Sequence, residues 1–516
     1  MKMKLGIDVG GTNTDAVLID ENHKIIAETK QPTTADVYTG IIDAVRSVLT
    51  LSGVDRRLIR QAMLGTTQCT NAIIERKNLA EVGVLRIGAP AAQGIPPMID
   101  WAPDLRTIAR SVAAVGGGFE YDGKELAPFD EAAARAFFGE MKGKVQAIAI
   151  SCVFSTIRND HELAAAKLCR EIMGDAVHVS LSSEIGSISL IERENATILN
   201  ASLCLVAERF TTGFARSLAE LGVTEAGIYI SQNDGTLMTM NDARHYPVLT
   251  IACGPTNSIR GASFLCGQKD AIVIDVGGTT TDLGIIQNGF PRESSVAASI
   301  GGVRTNFRMP DVISIGLGGG SIVREQDGQV TVGPDSVGFN ITRDARIFGG
   351  QVLTATDVAV RLGMADLGDK SLVADLDEGL ARRALQVMVE KVEDSIDAIK
   401  ISGDAVDVIL VGGGSIILPE AFCGVKNVTV PEHFGTANAI GSAISKVSGT
   451  YEKLVSYDKT PRDEALAAAK EEAVQMAVNA GASRASVEII DVEDVPLAYY
   501  PGKTSRVKIK AAGDLA

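Results

Sequence analysis

Two nine-residue stretches carry most of the chemistry that can be read from this sequence. Residues 7–15 read I-D-V-G-G-T-N-T-D and residues 274–282 read I-D-V-G-G-T-T-T-D, identical at eight of nine positions across a separation of 267 residues. Gly10, Gly11, Gly277 and Gly278 carry no Cβ, so backbone N–H groups at these points can approach phosphate oxygens closely. Thr12, Thr14, Thr279, Thr280 and Thr281 add hydroxyl donors around them, and Asn13 stands in the first copy where Thr280 stands in the second. Asp8 and Asp275 precede the glycines, where a carboxylate can hold Mg²⁺ beside a nucleoside triphosphate. Asp15 and Asp282 close the turns and read as structural acids that bond turn N–H groups. A single copy could equally be an ordinary Asx-rich hairpin turn. Two near-identical copies argue for a duplicated lobe with ATP clamped between facing turns.

The elements that must hold these turns are short strands. Each copy follows an apolar run (Met3, Leu5, Ile7; then Ala271 to Ile274) and precedes another (Ala16 to Ile19; Leu283 to Ile286). Strand, glycine turn, strand is a β-hairpin with its chemistry at the tip. A helix is expected at 36–51. A strand at 147–154 should lead to a helix ending near 172, and Ala226 to Ile230 should form a further strand. V-I-L-V-G-G-G-S at 408–415 is a strand running into Gly412, Gly413 and Gly414, a loop against which a purine and ribose can lie. T-P-R-D-E-A-L-A-A-A-K-E-E-A-V at 460–474 has the acidic start and Ala content of a strong helix, ending near Gly481, and alternating strands follow it.

The 516 residues exceed one core and suggest two to four domains. Aromatics are only 4% of the chain, so the core must rest on Val, Ile, Leu and Ala, as sheets covered on both faces do. A formal charge of −15 argues against a nucleic-acid or anionic-membrane surface. Seven cysteines without a CxxC pair, and no leader-like start or spanning apolar stretch, lead us to expect a cytoplasmic protein with free thiols.

The doubled hairpin and the glycine loop resemble the superfamily of actin, Hsp70 chaperones and sugar kinases. G-T-A-N-A-I-G-S-A at 435–443 is similar to its connecting helix at the interdomain hinge. More specifically, the chain resembles the hydantoinase A/5-oxoprolinase family. G-T-T-Q-C-T-N-A-I-I-E-R-K (65–77), E-R-E-N-A-T-I-L-N-A (192–201), S-Q-N-D-G-T-L (231–237), A-C-G-P-T-N-S (252–258), I-G-L-G-G-G-S-I (315–322) and V-G-P-D-S-V-G (332–338) follow that family's segments in order. Three residues depart from it: Asn13 where Phe is usual, Cys253 for Ser and Thr256 for Ala. The C-terminal part is also shorter than is typical. These departures bear on the substrate and leave the ATP chemistry alone.

The resemblance implies an α/β fold of duplicated actin-like (ribonuclease H-like) ATPase lobes with an inserted α/β segment and a small C-terminal α+β appendage. On this reading residues 1–75 begin the first lobe and 76–250 form the inserted, substrate-side region completing it. Residues 251–450 form the second lobe and 451–516 the appendage. The implied activity is ATP- and Mg²⁺-dependent opening of a cyclic amide by phosphorylation of its carbonyl oxygen, with a hydantoinase B-type subunit as partner; we also expect a homo-oligomer. Thr66, Thr67 and Asn71 are expected at the γ-phosphate or substrate, although Thr66 or Thr67 may serve only as an N-cap. Arg193 is expected to grip a polar substrate, although a solvated charge run is the plainer reading of Glu192 to Glu194. Asn233 and Asp234 stand at a strand end and suit substrate contact or a tight turn. Cys253 is a candidate contact or a buried inert thiol. Gly318, Gly319 and Gly320 are expected to cradle phosphate, a plain turn being the alternative reading. Rival readings are a small-molecule kinase and an ATP-driven reactivase or carboxylase subunit.

Overall fold

The computed structural model describes residues 2–34, 37–294, 298–307, 309–498 and 502–516. Both copies of the motif are hairpins. In the first, Met3–Val9 pairs antiparallel with Asn13–Asp20; in the second, Ala271–Val276 pairs with Thr281–Gln287. Their registers coincide: Asp8 lies opposite Asp15 and Val9 opposite Thr14, as Asp275 lies opposite Asp282 and Val276 opposite Thr281.

The same strand order surrounds both hairpins. In the first lobe a third strand, Ile25–Pro32, flanks the hairpin on one side, and Ile59–Thr66 and Gly227–Ser231 run parallel to the first strand on the other. In the second lobe Val406–Val411 and Val425–Thr429 occupy the parallel positions. The third strand there is split into Phe290–Pro291 and Val312–Ile315, both paired to Thr281–Gln287. The fold is therefore a duplicated α/β lobe of the actin-like, ribonuclease H-like kind. The helix expected at 36–51 is Val37–Ser52, with residue 36 outside the described residues.

Between strands Ile59–Thr66 and Gly227–Ser231 the first lobe carries an inserted parallel sheet ordered Ala109–Gly116, Val82–Ala89, Ala147–Cys152, His178–Leu181. Helix Leu190–Ser202 ties this sheet to the lobe, and Arg193 and Glu194 of its charged first turns are buried rather than solvated. Glu194 is buried and receives Arg86 in a two-point ion pair, with the Ser151 hydroxyl at 2.6 Å. A buried pair survives only when its hydrogen bonds are completed, and here they are.

The C-terminal α+β segment adds strands to the first lobe. Lys446–Ser456 pairs with Thr236–Thr239, and Thr504–Gly513 and Glu488–Pro496 follow it, so the first lobe's sheet has nine strands. Helix Arg462–Asn479 packs across them, and a Cβ on Gly449 would lie 2.3 Å from the Ala477 nitrogen.

The chain crosses between lobes through helix Cys253–Cys266 and returns through helix Ala437–Ile444. A Cβ at Gly261 would lie 1.9 Å from the Ala437 carbonyl oxygen, and one at Gly441 would lie 1.8 Å from that of Asn257. Only glycine permits this approach, and the small residues read at 435–443 serve it. Gly441→Val must force the helices apart and is expected to cost about 3 kcal/mol, the upper end of what overpacking costs. Unchanged thermal unfolding of the variant would show that the crossing is looser than described.

Candidate active site

The two hairpin tips face each other. A Cβ on Gly278 would meet the Thr12 hydroxyl oxygen at 2.7 Å and its methyl at 2.8 Å, so the Thr12 side chain lies on the backbone of the opposite turn. Each turn is closed the same way, Gly10 N–H to Asn13 carbonyl at 3.0 Å and Gly277 N–H to Thr280 carbonyl at 2.8 Å. The N–H groups of Gly11 and Thr12, and of their counterparts Gly278 and Thr279, donate to no carbonyl among the described residues. Two such tips present N–H groups of the kind that can receive an anion from both sides. Thr280 is exposed and Asn13 half-buried beside them. Thr14 and Thr281 differ from expectation: both are fully buried, Thr14 bonding the Thr33 hydroxyl and Thr281 donating to the Leu317 carbonyl, so they support the turns from behind.

Under the tips lie four carboxylates. Asp8 accepts from Asn438 Nδ2 at 3.0 Å and Asn257 Nδ2 at 3.4 Å, and Asp275 accepts from the Ser258 hydroxyl at 2.5 Å. Burial, then the charge of Asp15 opposite, push the Asp8 carboxyl up to about 7 against the weaker opposing pull of Asn257. Burial likewise raises Asp275, and raises Asp282 to about 7 despite its bond to Ser314. Asp15 is held by Lys30, whose Nζ lies 2.7 Å from both carboxylate oxygens. Asp8 and Asp275 are the carboxylates nearest the two tips that could hold a Mg²⁺ ion, and no cluster of three acidic, His or Cys ligands occurs among the described residues.

The 408–414 loop completes the cleft. Gly412 and Gly414 lie flat on the second hairpin: a Cβ on Gly412 would lie 2.2 Å from Asp275 Oδ1, and one on Gly414 2.3 Å from the Gly277 carbonyl. Gly413 is exposed, with the Lys30 stem 3.4 Å from where its Cβ would be. The 318–320 glycines do not offer their N–H groups to a ligand. Gly318 donates to Ser321 Oγ, Gly319 to the Gly277 carbonyl and Gly320 to that of Gly278, so they brace the second tip from outside.

The expected substrate residues separate into two groups. Asn233 and Asp234 line a cavity of about 660 Å³ between the inserted region, the end of strand Gly227–Ser231 and the C-terminal strands. Burial alone would raise the Asp234 carboxyl, but Lys510 at 2.7 Å and the Thr236 N–H and hydroxyl outweigh it and hold it low. Arg193 does not reach the cavity. Its guanidinium is buried and donates to Ser182 Oγ and to the carbonyls of Cys152, Ser187 and Ser189, so it shapes the wall that Ser187 belongs to. Asn71 is exposed and bonds Thr67 Oγ1 at 3.4 Å. Cys253 lies between the Thr66 N–H and carbonyl, and burial pushes its thiol up to about 12, which suits a structural thiol. Thr66 Oγ1 accepts from the Gln68 N–H, and Thr67 sits at the helix start beside Val9 of the first hairpin. Lys30, Asn257, Ser258 and Asn438 escaped the sequence reading. Asn257, Ser258 and Asn438 lie inside segments already singled out at 252–258 and 435–443, but Lys30 carries no motif.

Comparison with known proteins now bears on this geometry. The hydantoinase/oxoprolinase N-terminal region matches residues 4–173, and the hydantoinase/oxoprolinase domain matches residues 193–399. The chain belongs to the hydantoinase/oxoprolinase family. It is 28% identical to the caprolactamase subunit alpha of Pseudomonas jessenii over 85% of this chain and 65% of that subunit. The chain spans about two thirds or less of the curated relatives it matches first. Its fold is that of the crystal structure of ATP-dependent caprolactamase from Pseudomonas jessenii (TM-score 0.77, 22% identity, 99% of this chain and 88% of that one). Nucleotide-free acetone carboxylase shares the fold at TM-score 0.72 and 18% identity, over 100% of this chain and 88% of that one. None of the described helices is long and apolar enough to cross a membrane.

Two expectations follow within this family site. An Asp whose folded value is raised is destabilising once ionised: the cost is absent below about pH 4, grows as pH rises toward 7 and is complete above it. Asp8→Asn should therefore stabilise the ligand-free protein at pH 8 but not at pH 4, while lowering ATP turnover at least about a hundredfold. Equal melting shifts at both pH values would remove the electrostatic account. Lys30→Ala should weaken ATP binding and loosen Asp15; unchanged nucleotide affinity by calorimetry would make Lys30 a purely structural cation.

Proposed function

We propose that this chain is the ATP-using part of a hydrolase that opens a cyclic amide of the hydantoin, 5-oxoproline or lactam type. The observation that carries the reading is Thr12 of one phosphate turn seated on Gly278 of the other, in a chain of this family. An amide carbonyl is a poor electrophile. Transfer of the γ-phosphoryl group to its oxygen releases ADP and leaves an imidate carbon open to water. One water adds there, the C–N bond breaks to an acyl phosphate and amine, and a second water releases phosphate and the ring-opened acid.

The residues divide the work. The free N–H groups of Gly11, Thr12, Gly278 and Thr279 hold the transferring group in line, and the exposed loop at Gly413 receives adenosine beside Lys30. Asp8 and Asp275 are the side chains that would hold Mg²⁺, which supplies charge neutralisation for phosphates and carboxylates together. The proton-transfer steps after ring activation suit a B-type partner subunit, as the relative named as a subunit suggests.

The test is ATP turnover against hydantoin, 5-oxoproline, lactams and ketones, with and without the candidate partner subunit, followed by product analysis. Ring-opened acid with ADP and phosphate is expected. A stable phosphorylated product would make the protein a kinase, and bicarbonate-dependent turnover of ketones would make it a carboxylase subunit.

A further inference from the structure

The second lobe sends a hairpin into the first. Ala298–Ile300 and Val303–Thr305 pair antiparallel, with Ile300 opposite Val303 and the turn Gly301-Gly302 between them, both glycines at positive φ. The hairpin springs from the split third strand of the second lobe. Its two roots, Phe290–Pro291 and Val312–Ile315, both pair with the strand that leaves the second phosphate turn, and Thr281 at the head of that strand lies opposite Ile315. The stem is held to the second lobe. The Asp311 N–H donates to the Arg292 carbonyl and the Ser294 N–H to that of Met309, both at 2.8 Å, and Arg292 Nε lies 2.9 Å from the Asp311 carboxylate.

The far end belongs to the first lobe. Ile300, Val303 and Phe307 are buried in a core whose other buried members run from Met3 to Ile251. Three hydrogen bonds to main-chain carbonyls fix it there: Asn195 Nδ2 to Arg304 at 2.9 Å, Asn306 Nδ2 to Ser187 at 3.0 Å and the Arg76 guanidinium to Gly301 at 2.8 Å. Arg76 ends helix Gln68–Glu75, and a Cβ on Gly301 would lie 2.8 Å from the Ile73 methyl of the same helix. That helix starts at Thr67, beside Val9 at the foot of the first phosphate turn. The two phosphate turns are thus joined by a path that does not pass through the crossing helices.

Thr12 of one turn lies on Gly278 of the other, so phosphates reach the space between them only when the turns part. A lobe fixed at one crossing can swing. A lobe fixed at the crossing and again at an embedded hairpin swings only when the hairpin leaves its seat. We propose that the 298–307 hairpin is a strap between the lobes whose release from the first lobe sets the rate of nucleotide exchange. The inference rests on the ATP site of the proposed function and adds its control. Release bares three apolar side chains and breaks three hydrogen bonds, which makes it a slow step. These contacts hold the lobes together with or without nucleotide, so weakening them speeds entry and exit alike and leaves affinity nearly unchanged.

The full chain with Mg²⁺ is mixed with a fluorescent N-methylanthraniloyl ADP, and association and chase-induced release are followed by stopped flow. Val303→Ala and Arg76→Ala, with far-UV spectra retained, should each raise both rates about threefold to tenfold. The Kd should shift less than about twofold. Phe138→Leu, a buried change in helix Glu131–Met141 of the inserted region, should leave both rates as they are in the parent chain. Unchanged or slower rates in either hairpin variant overturn the strap. Faster release without faster association also overturns it and makes the hairpin part of the nucleotide site. Equal acceleration by Phe138→Leu reduces the effect to general loosening and overturns it as well. If the parent chain binds neither this probe nor the matching ATP probe, the ATP reading itself falls.

Discussion

Four carboxylates gathered under two glycine turns are the constraint around which the cleft is arranged. Asp8 faces Asp15 and Asp275 faces Asp282 across their hairpins, an arrangement that repels wherever both members are ionised. The protein relieves this with Lys30 on Asp15 and with neutral donors on the others: Asn257 and Asn438 on Asp8, Ser258 on Asp275, Ser314 on Asp282. Neutral donors hold an acid in place without cancelling its charge. The residual repulsion is what a cation arriving with nucleotide would remove, so on the proposed function the same acids that burden the free protein would favour the loaded one.

Those donors come from the two crossing helices. Asn257 and Ser258 lie on Cys253–Cys266 and Asn438 on Ala437–Ile444, and the helices touch through Gly261 and Gly441. Any rotation of one lobe against the other about this contact moves the side chains that hold Asp8 and Asp275. The crossing helices and the positioning of these acids are thus structurally linked. Close backbone approach at Gly261 and Gly441 leaves no side chain between the helices at their crossing.

The hairpins, the strand before Gly412 and the strong C-terminal helix were legible because period, punctuation and a repeated motif all agreed locally. The roles of Gly318 to Gly320, Arg193 and Thr14 were not. A glycine run reads alike whether its N–H groups face a phosphate or a neighbouring carbonyl, and only tertiary pairing with Gly277 and Gly278 decides. Arg193 and Glu194 look like a solvated charge run until Arg86, more than a hundred residues earlier, is brought beside Glu194. Lys30 was invisible for the same reason: its partner Asp15 is a cross-strand neighbour, not a sequence motif. The C-terminal strands were read correctly as strands, but edge-to-edge addition to a distant sheet leaves no local trace.

That addition has a consequence for how the molecule is assembled. Strands Thr236–Thr239 and Lys446–Ser456 are adjacent in one sheet, and the second lobe lies between them in the chain. During synthesis from the N-terminus, the second lobe's strands are all available before the first lobe's sheet receives its last three. The lobe that begins the chain is the one that must wait, its edge at Thr236–Thr239 uncovered until the ribosome has delivered residues beyond 445.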